Sequence, residues 1–130
     1  MKKCLVTGGC GFIGSHLARR LVSEGWAVDV VDNMSNGYLE NLDGLKIRVL
    51  PNAYFLPDFD NAMSQKPGDH QVLVISDDFS HPQILKRVRE KHYDVVFHQA
   101  AIPRVLYSVE NPSATTDVNI SGTIRLMEAC

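Results

Sequence analysis

The sequence predicts an α/β fold, a doubly wound parallel sheet with helices on both faces, and three observations predict it. An apolar strand runs into a glycine-rich turn and then an amphipathic helix within the first 25 residues. A second apolar stretch ends in an acid. Short apolar runs of strand length then alternate with stretches of helical period as far as the C-terminus.

Lys3-Cys4-Leu5-Val6 reads as the first strand. The turn lies in Val6-Thr7-Gly8-Gly9-Cys10-Gly11-Phe12-Ile13-Gly14-Ser15-His16-Leu17, which holds four glycines. The helix that follows carries Ile13, Leu17, Leu21 and Val22 on one face, and Gly25 closes it as a C-cap residue does. A strand, a glycine turn and a helix N-terminus make an anion cradle, because the first-turn N–H groups are unpaired and the macrodipole adds about half a positive charge. In such a pyrophosphate site Gly8 permits the tight turn, Gly11 lets the backbone approach the phosphates and Gly14 allows close packing of helix on strand. Cys10 is read as a variable loop position.

Trp26-Ala27-Val28-Asp29-Val30-Val31 is the second strand, with Asp32 at its carboxyl tip. Asp32 follows Gly14 by 18 residues, against a usual spacing of about 20 for the acid that binds a ribose. It would also repel a 2′-phosphate: two unit charges about 4 Å apart cost up to about 4 kcal/mol at an effective dielectric near 20. No Arg or Lys lies between Arg20 and Lys46 to offset this, so NAD is expected rather than NADP. The competing reading is that Asp32 merely caps a strand end.

Asn33-Met34-Ser35-Asn36-Gly37 is a polar turn, and Lys46-Ile47-Arg48-Val49-Leu50 has the pattern of a short strand. From Pro51 to His70 the chain shows Pro51, Pro57, Pro67 and Gly68 with little periodicity, and is expected to be an irregular insertion. Gln71-Val72-Leu73-Val74-Ile75 reads as the third main strand. Pro82 suits a helix first turn, and Ile84, Leu85 and Val88 form the buried stripe of that helix. Asp94-Val95-Val96-Phe97-His98 is the fourth main strand. A last helix is expected from Pro112, with Val118, Gly122 and Arg125 on one side and Ile120, Ile124 and Met127 on another. Gly122 costs about 1 kcal/mol in a helix interior, which implies close packing against a neighbour. Right-handed crossovers put strand one at the centre, strands two and three on one side and strand four on the other. This is a Rossmann-type sheet, truncated after the fourth strand and its following helix, with its ligand at the switch point between strands one and four.

Composition sets the remaining limits. A chain of 130 residues with 45% hydrophobic content suits one domain, here residues 1–130. A net charge of −2 gives no electrostatic reason to expect nucleic acid or an anionic membrane as partner. Met1-Lys2-Lys3 precedes only three apolar residues before the turn, unlike a signal peptide. No apolar run approaches the roughly 20 residues that span a bilayer. Cys4, Cys10 and Cys130 do not form a zinc pattern, so no metal is expected, and a cytoplasmic location follows.

With these residues in place, the chain resembles the N-terminal part of an extended short-chain dehydrogenase/reductase of the NAD-dependent epimerase/dehydratase family. The matching blocks are Thr7 to His16, Asp32 to Gly37, Val95-Val96-Phe97-His98-Gln99-Ala100-Ala101 and Asn119-Ile120-Ser121-Gly122-Thr123. The resemblance implies that Phe12 and Ile13 give backbone amides to the pyrophosphate. Asp32, Asn33, Asn36 and Gly37 would line the adenosine ribose and its phosphate. It implies adenine contacts from Asp78 and Phe79, with Asp77 the rival position. Ala100, Ala101 and Ile102 would pass under the cofactor, and Asn119 would help hold a catalytic Lys or else be a packing residue. His98 and His16 are expected to be structural.

The stretch from Ile102 to Pro112 resembles the loop that touches the sugar nucleotide in UDP-sugar 4-epimerases. It departs from that pattern by carrying Leu106-Tyr107 where Pro-Arg is expected, which leaves the substrate open. The family's catalytic Tyr-x-x-x-Lys is missing: Tyr38, Tyr54, Tyr93 and Tyr107 are followed four residues later by Leu42, Asp58, Phe97 and Asn111. No catalytic residue is therefore assigned, and the substrate domain is absent as well. The implied function is the NAD-binding portion of an enzyme acting on a nucleotide-diphosphate sugar, by 4-epimerisation or 4,6-dehydration. The alternative is a non-catalytic NAD-binding module or truncated gene product. An exposed edge at Val95, Val96 and Phe97 leads to the expectation of a homodimer.

Overall fold

The computed structural model of the chain describes residues 1–52, 59–64 and 70–130. In these residues strands β1 (Lys3–Thr7), β2 (Ala27–Asp32), β3 (Ile47–Leu50), β4 (Val72–Ser76) and β5 (Val95–His98) form one sheet in the order β3-β4-β2-β1-β5. Every pairing is parallel, with Thr7 opposite Val31 on one side and His98 on the other. The expected topology is therefore present. The short strand at Ile47–Leu50 adds an outer edge beside β4.

The sheet is buried on both faces, so alternate strand residues feed two cores. Leu5, Val31, Leu73 and Ile75 face helix α3 (Pro82–Arg89), whose inward residues Ile84, Leu85 and Val88 behave as its period predicts. Cys4, Val6, Val28, Val30, Val72 and Val74 face Ala18 and Leu21 of helix α1 (Phe12–Ser23). Pro82 begins α3, and the His81 ring caps it by accepting from the Gln83 amide at 3.1 Å. Gly25, at φ +83°, ends α1 with its amide on Val22 and the Trp26 amide on Leu21, the two bonds of a Schellman motif.

Several expectations need correction. The buried face of α1 is Gly14, Ser15, Ala18 and Leu21, while Ile13 is exposed. The helix is rotated so that small residues meet the sheet and its first turn stays open. Within the segment expected to be irregular, Phe59–Ser64 is helix α2, and Phe59 and Met63, one turn apart, are buried against the core. Residues 53–58 and 65–69 of that segment lie outside the described residues.

The loop expected after β5 contains a short helix, α4 (Val105–Glu110), with no buried side chain. The final helical run begins at Pro112 as expected, but it is α5 (Pro112–Thr116), a π-helical stretch (Asp117–Gly122) and α6 (Thr123–Ala129). Gly122, Leu126 and Ala129, at ordinary helical spacing, are buried there, while Arg125, expected on the side of Gly122, is exposed. Gly122 is pressed against Phe79, where a Cβ would lie 2.8 Å from the ring, which accounts for a glycine inside a helix.

A charged group also enters the core. Asp29 of β2 is buried, and its Oδ2 accepts from the Tyr93 hydroxyl at 3.0 Å and pairs with Lys3 Nζ at 3.1 Å. A buried carboxylate needs such partners. The group lies toward the amino ends of the strands, away from the glycine turn. No helix among the described residues is long and apolar enough to cross a membrane.

Candidate functional site

The chain reverses from β1 into α1 at the carboxyl edge of the sheet, and three contacts shape the turn. Gly8 adopts φ +66°, donates its amide to the Val31 carbonyl at 2.8 Å, and lies against Ala100, whose backbone a Cβ would approach to 2.8 Å. The Gly11 amide returns to the Gly8 carbonyl at 3.1 Å. Gly14 is packed against that turn, where a Cβ would meet the Gly8 carbonyl and come within 2.8 Å of Gly9 Cα. Its nearest neighbour is thus the turn that follows strand β1.

Helix α1 has no side-chain cap at Gly11, and Phe12 and Ile13 are exposed. The first-turn amides of Phe12, Ile13 and Gly14 have no intrahelical acceptor. They form an amide-rich surface suited to an anion. The His16 ring bonds the Phe12 carbonyl at 2.7 Å and packs edge-on against Phe12, the structural role expected of it.

Two residues of the turn matter more than the sequence suggested. Gly9 has Val30 behind it, with methyl carbons 2.6 Å from where a Cβ would stand. Cys10 is fully buried. Its amide donates to Asp32 Oδ2 at 3.0 Å, and its carbonyl accepts from Tyr38 N at 3.0 Å and Asn41 Nδ2 at 2.8 Å. Burial, with a smaller contribution from the Asp32 charge, pushes the Cys10 thiol up to about 12. Its backbone is anchored on both sides and its side chain is enclosed.

Asp32 stands at the tip of β2, only 8% exposed. Its Oδ1 accepts from the Met34 amide at 2.8 Å. Gly37 lies over the carboxylate so closely that a Cβ would be 2.7 and 2.9 Å from its oxygens. Asn33 and Asn36 are exposed on the same turn, and Met34 takes a positive φ of 62°.

Beyond β4, Asp77 is buried with its Oδ1 on the Asp78 amide, and Asp78 is exposed with its Oδ1 on Ser80. Both acids line a cavity of about 690 Å³ together with Asn33, Ser76 and Ser80. Of the residues expected around the adenosine, Asn33, Asp78 and the rival Asp77 line this cavity, and Asp32, Asn36, Gly37 and Phe79 do not. The Phe79 ring is buried against His98 and Gly122, so its backbone is what it can offer a ligand.

On the other side of the turn, residues 100–102 leave β5. Thr7 Oγ1 accepts from the Gln99 and Ala100 amides, each at 3.1 Å. Asn119 clasps Ile102, accepting from its amide at 2.8 Å and donating to its carbonyl at 3.0 Å. His98 bonds Thr7 and Thr123 through its two ring nitrogens, and burial pushes its pKa below the ordinary histidine value. Among the described residues no group of His, Cys, Asp and Glu is placed to hold a metal ion.

Comparison with known proteins agrees with this geometry. The sequence model of the GDP-mannose 4,6 dehydratase family matches residues 5–130. UDP-glucose 4-epimerase 3 of Oryza sativa subsp. japonica is 34% identical over 96% of this chain and 30% of its own length. The UDP-N-acetylglucosamine 4-epimerase of Methanobrevibacter ruminantium, solved with UDP-N-acetylmuramic acid, superposes with a TM-score of 0.73 at 31% identity, covering 99% of this chain and 34% of that one. The UDP-glucose 4-epimerase of Thermus thermophilus, solved with NAD, gives 0.70 at 32% identity, covering 98% and 33%. The chain spans about a third of the length of these proteins.

Proposed function

The chain belongs to the GDP-mannose 4,6-dehydratase family, and on that premise we propose that residues 1–130 form the NAD-binding portion of a nucleotide-sugar epimerase or dehydratase. The observation that carries the reading is one juxtaposition. The uncapped first turn of α1 opens on one side of the glycine turn, and the Asp32 carboxylate stands on the other.

The residues present suit NAD. An ionised carboxylate has about four acceptor positions, and Asp32 gives two to Cys10 and Met34, which leaves two for the ribose hydroxyls. The amides of Phe12 and Ile13, beside Gly11 and Gly14, would hold the pyrophosphate. Asn33, Asn36 and Gly37 would surround the ribose, and Asp78 and Phe79 the adenine. Ala100, Ala101 and Ile102 would lie beneath, steadied by Asn119. When bound, NAD supplies a hydride acceptor, which suits 4-epimerisation of a nucleotide-diphosphate sugar by transient oxidation. No Tyr-x-x-x-Lys pair occurs in these 130 residues, so the role proposed for them is to bind and orient cofactor.

The same reading places the protein in the cytoplasm, supported by free Cys4, Cys10 and Cys130. It also includes a homodimer, supported by the apolar side chains of Ile120, Ile124 and Met127 exposed on the final helical run. A monodisperse monomer by light scattering at high concentration would count against the dimer.

Calorimetric titration tests the cofactor reading. Wild type should take up one NAD per chain, and Asp32→Ala should bind at least about tenfold more weakly, the loss expected when hydrogen bonds to a charged acceptor are removed. Equal affinity of the two proteins removes the argument.

A further inference from the structure

We propose that His98 is a positioning residue for the cofactor groove: as a neutral imidazole protonated on Nε2, it ties the floor of the groove to β1 and to the final helical run at once. The inference rests on reading this groove as the NAD site.

The direction of each hydrogen bond follows from counting donors and acceptors. A threonine hydroxyl has one proton and two lone pairs. Thr7 Oγ1 already accepts from the amides of Gln99 and Ala100. Its proton is therefore what reaches His98 Nδ1 at 2.6 Å. With Nδ1 accepting, the neutral ring carries its proton on Nε2, and that proton goes to Thr123 Oγ1 at 2.9 Å. Thr123 in turn donates to the Asn119 carbonyl at 2.7 Å. Asn119 closes the circuit by holding both the amide and the carbonyl of Ile102.

A one-way chain of donors thus runs from β1 through His98 to the π-helical stretch, and both its ends hold the floor of the groove. One end fixes residues 99 and 100, and the other fixes residue 102. Ala100 also backs the glycine turn, since its N and Cα would lie 2.8 Å from a Cβ on Gly8. A shift of the floor is therefore felt in the cradle.

A second proton on the imidazole reverses the Thr7 link. An Nδ1–H then faces an oxygen whose lone pairs are both engaged, and to receive it Thr7 Oγ1 must release Ala100, or else Gln99, whose amide also reaches the Thr7 carbonyl at 3.1 Å. Among the described residues the ring is contacted by Thr7 from β1, Phe79 from the β4–α3 loop at 4.7 Å between ring centroids, and Thr123 from α6, none of them ionisable in this range and none a charge that would offset that conflict. Cofactor affinity should consequently fall as the imidazole takes up its second proton.

Isotope-edited NMR of the whole chain, with and without NAD, tests this. The ring nitrogens of His98 should report the Nε2–H tautomer, and the Gln99 and Ala100 amides should shift on acidification with the midpoint of His98. NAD affinity should weaken below that midpoint by up to about tenfold per pH unit. His98→Gln keeps one acceptor and one donor but takes up no proton. It should hold affinity within about threefold of wild type at pH 8 and flatten the profile, whereas His98→Leu should lose about tenfold or more at every pH. An Nδ1–H tautomer overturns the proposal, as do Gln99 and Ala100 amides that ignore the His98 titration, or a His98→Gln profile as steep as wild type. A wild type that binds no NAD at any pH defeats the cofactor reading instead, and the tautomer and amide shifts then decide the role of His98 by themselves. They decide it equally if a variant fails to fold.

Discussion

The Cys10 amide donates to Asp32 Oδ2 at 3.0 Å, so the carboxylate that ends β2 fastens the glycine turn that follows β1. These contacts make Asp32 a cap of the strand end, and the binding role proposed for it would use the acceptor positions that Cys10 and Met34 leave, so the two readings that competed in the sequence are compatible. Replacement by Asn keeps the size but gives one end of the side chain donors only. That end would oppose the amide of Cys10 or Met34. Asp32→Asn should therefore lose about 1–3 kcal/mol of stability as well as NAD affinity. Urea denaturation reads the first effect and calorimetry the second, and an unchanged stability would show that the Cys10 bond contributes nothing.

Gly14 and Gly25 separate cradle from fold. A methyl group at Gly14 meets the backbone of Gly8 and Gly9, and cannot be accommodated without moving the turn. Gly14→Ala should cost about 1–3 kcal/mol and abolish measurable NAD binding. Gly25 has no atom within 4 Å of a Cβ but sits at φ +83°. Gly25→Ala should cost about 1–2 kcal/mol from backbone strain alone, with affinity for NAD unaltered. Loss of binding in both variants would mean that stability, and not the shape of the turn, governs the site.

The three cysteines should react unequally. Cys4 and Cys10 are buried, and burial pushes both thiols up to about 12, leaving almost no thiolate at pH 8. Cys130 is exposed. A thiol-specific reagent should modify Cys130 alone in the native protein and all three after denaturation. Rapid native labelling of Cys10 would show that the glycine turn opens readily.

Acid should weaken the fold through His98. Its pKa is lowered in the folded chain by burial, so the unfolded chain binds the proton more tightly. Its contribution to stability is complete above the unfolded value of about 6.5 and is lost as pH falls through the lower folded value. Denaturation midpoints measured downward from pH 7.5 should decline less in His98→Gln than in wild type. Parallel decline would assign the acid sensitivity to other groups.

Local chemistry made much of the molecule legible before any coordinates. Glycines at positions 8, 11 and 14, an acid at 32 and Pro82 each act on the backbone within a few residues of themselves. Apolar alternation likewise identifies strands whose two faces are both covered. The sequence alone therefore determined the parallel α/β sheet, the placement of strands β1, β2, β4 and β5, and a glycine turn with an uncapped helix start near a carboxylate.

Tertiary structure decided what depends on residues far apart in the chain. The backbone of Cys10 is held in place because Asp32, Tyr38 and Asn41 converge on it. The buried Asp29 is tolerable only because Tyr93 and Lys3 reach it from beyond the strand. Gly122 is glycine because Phe79 lies across it. Helical period reports how residues repeat along an axis, but the rotation of each helix against the sheet is chosen by packing with its neighbours. That is why Ile13 faces outward and Ser15 inward, against what the pattern implied.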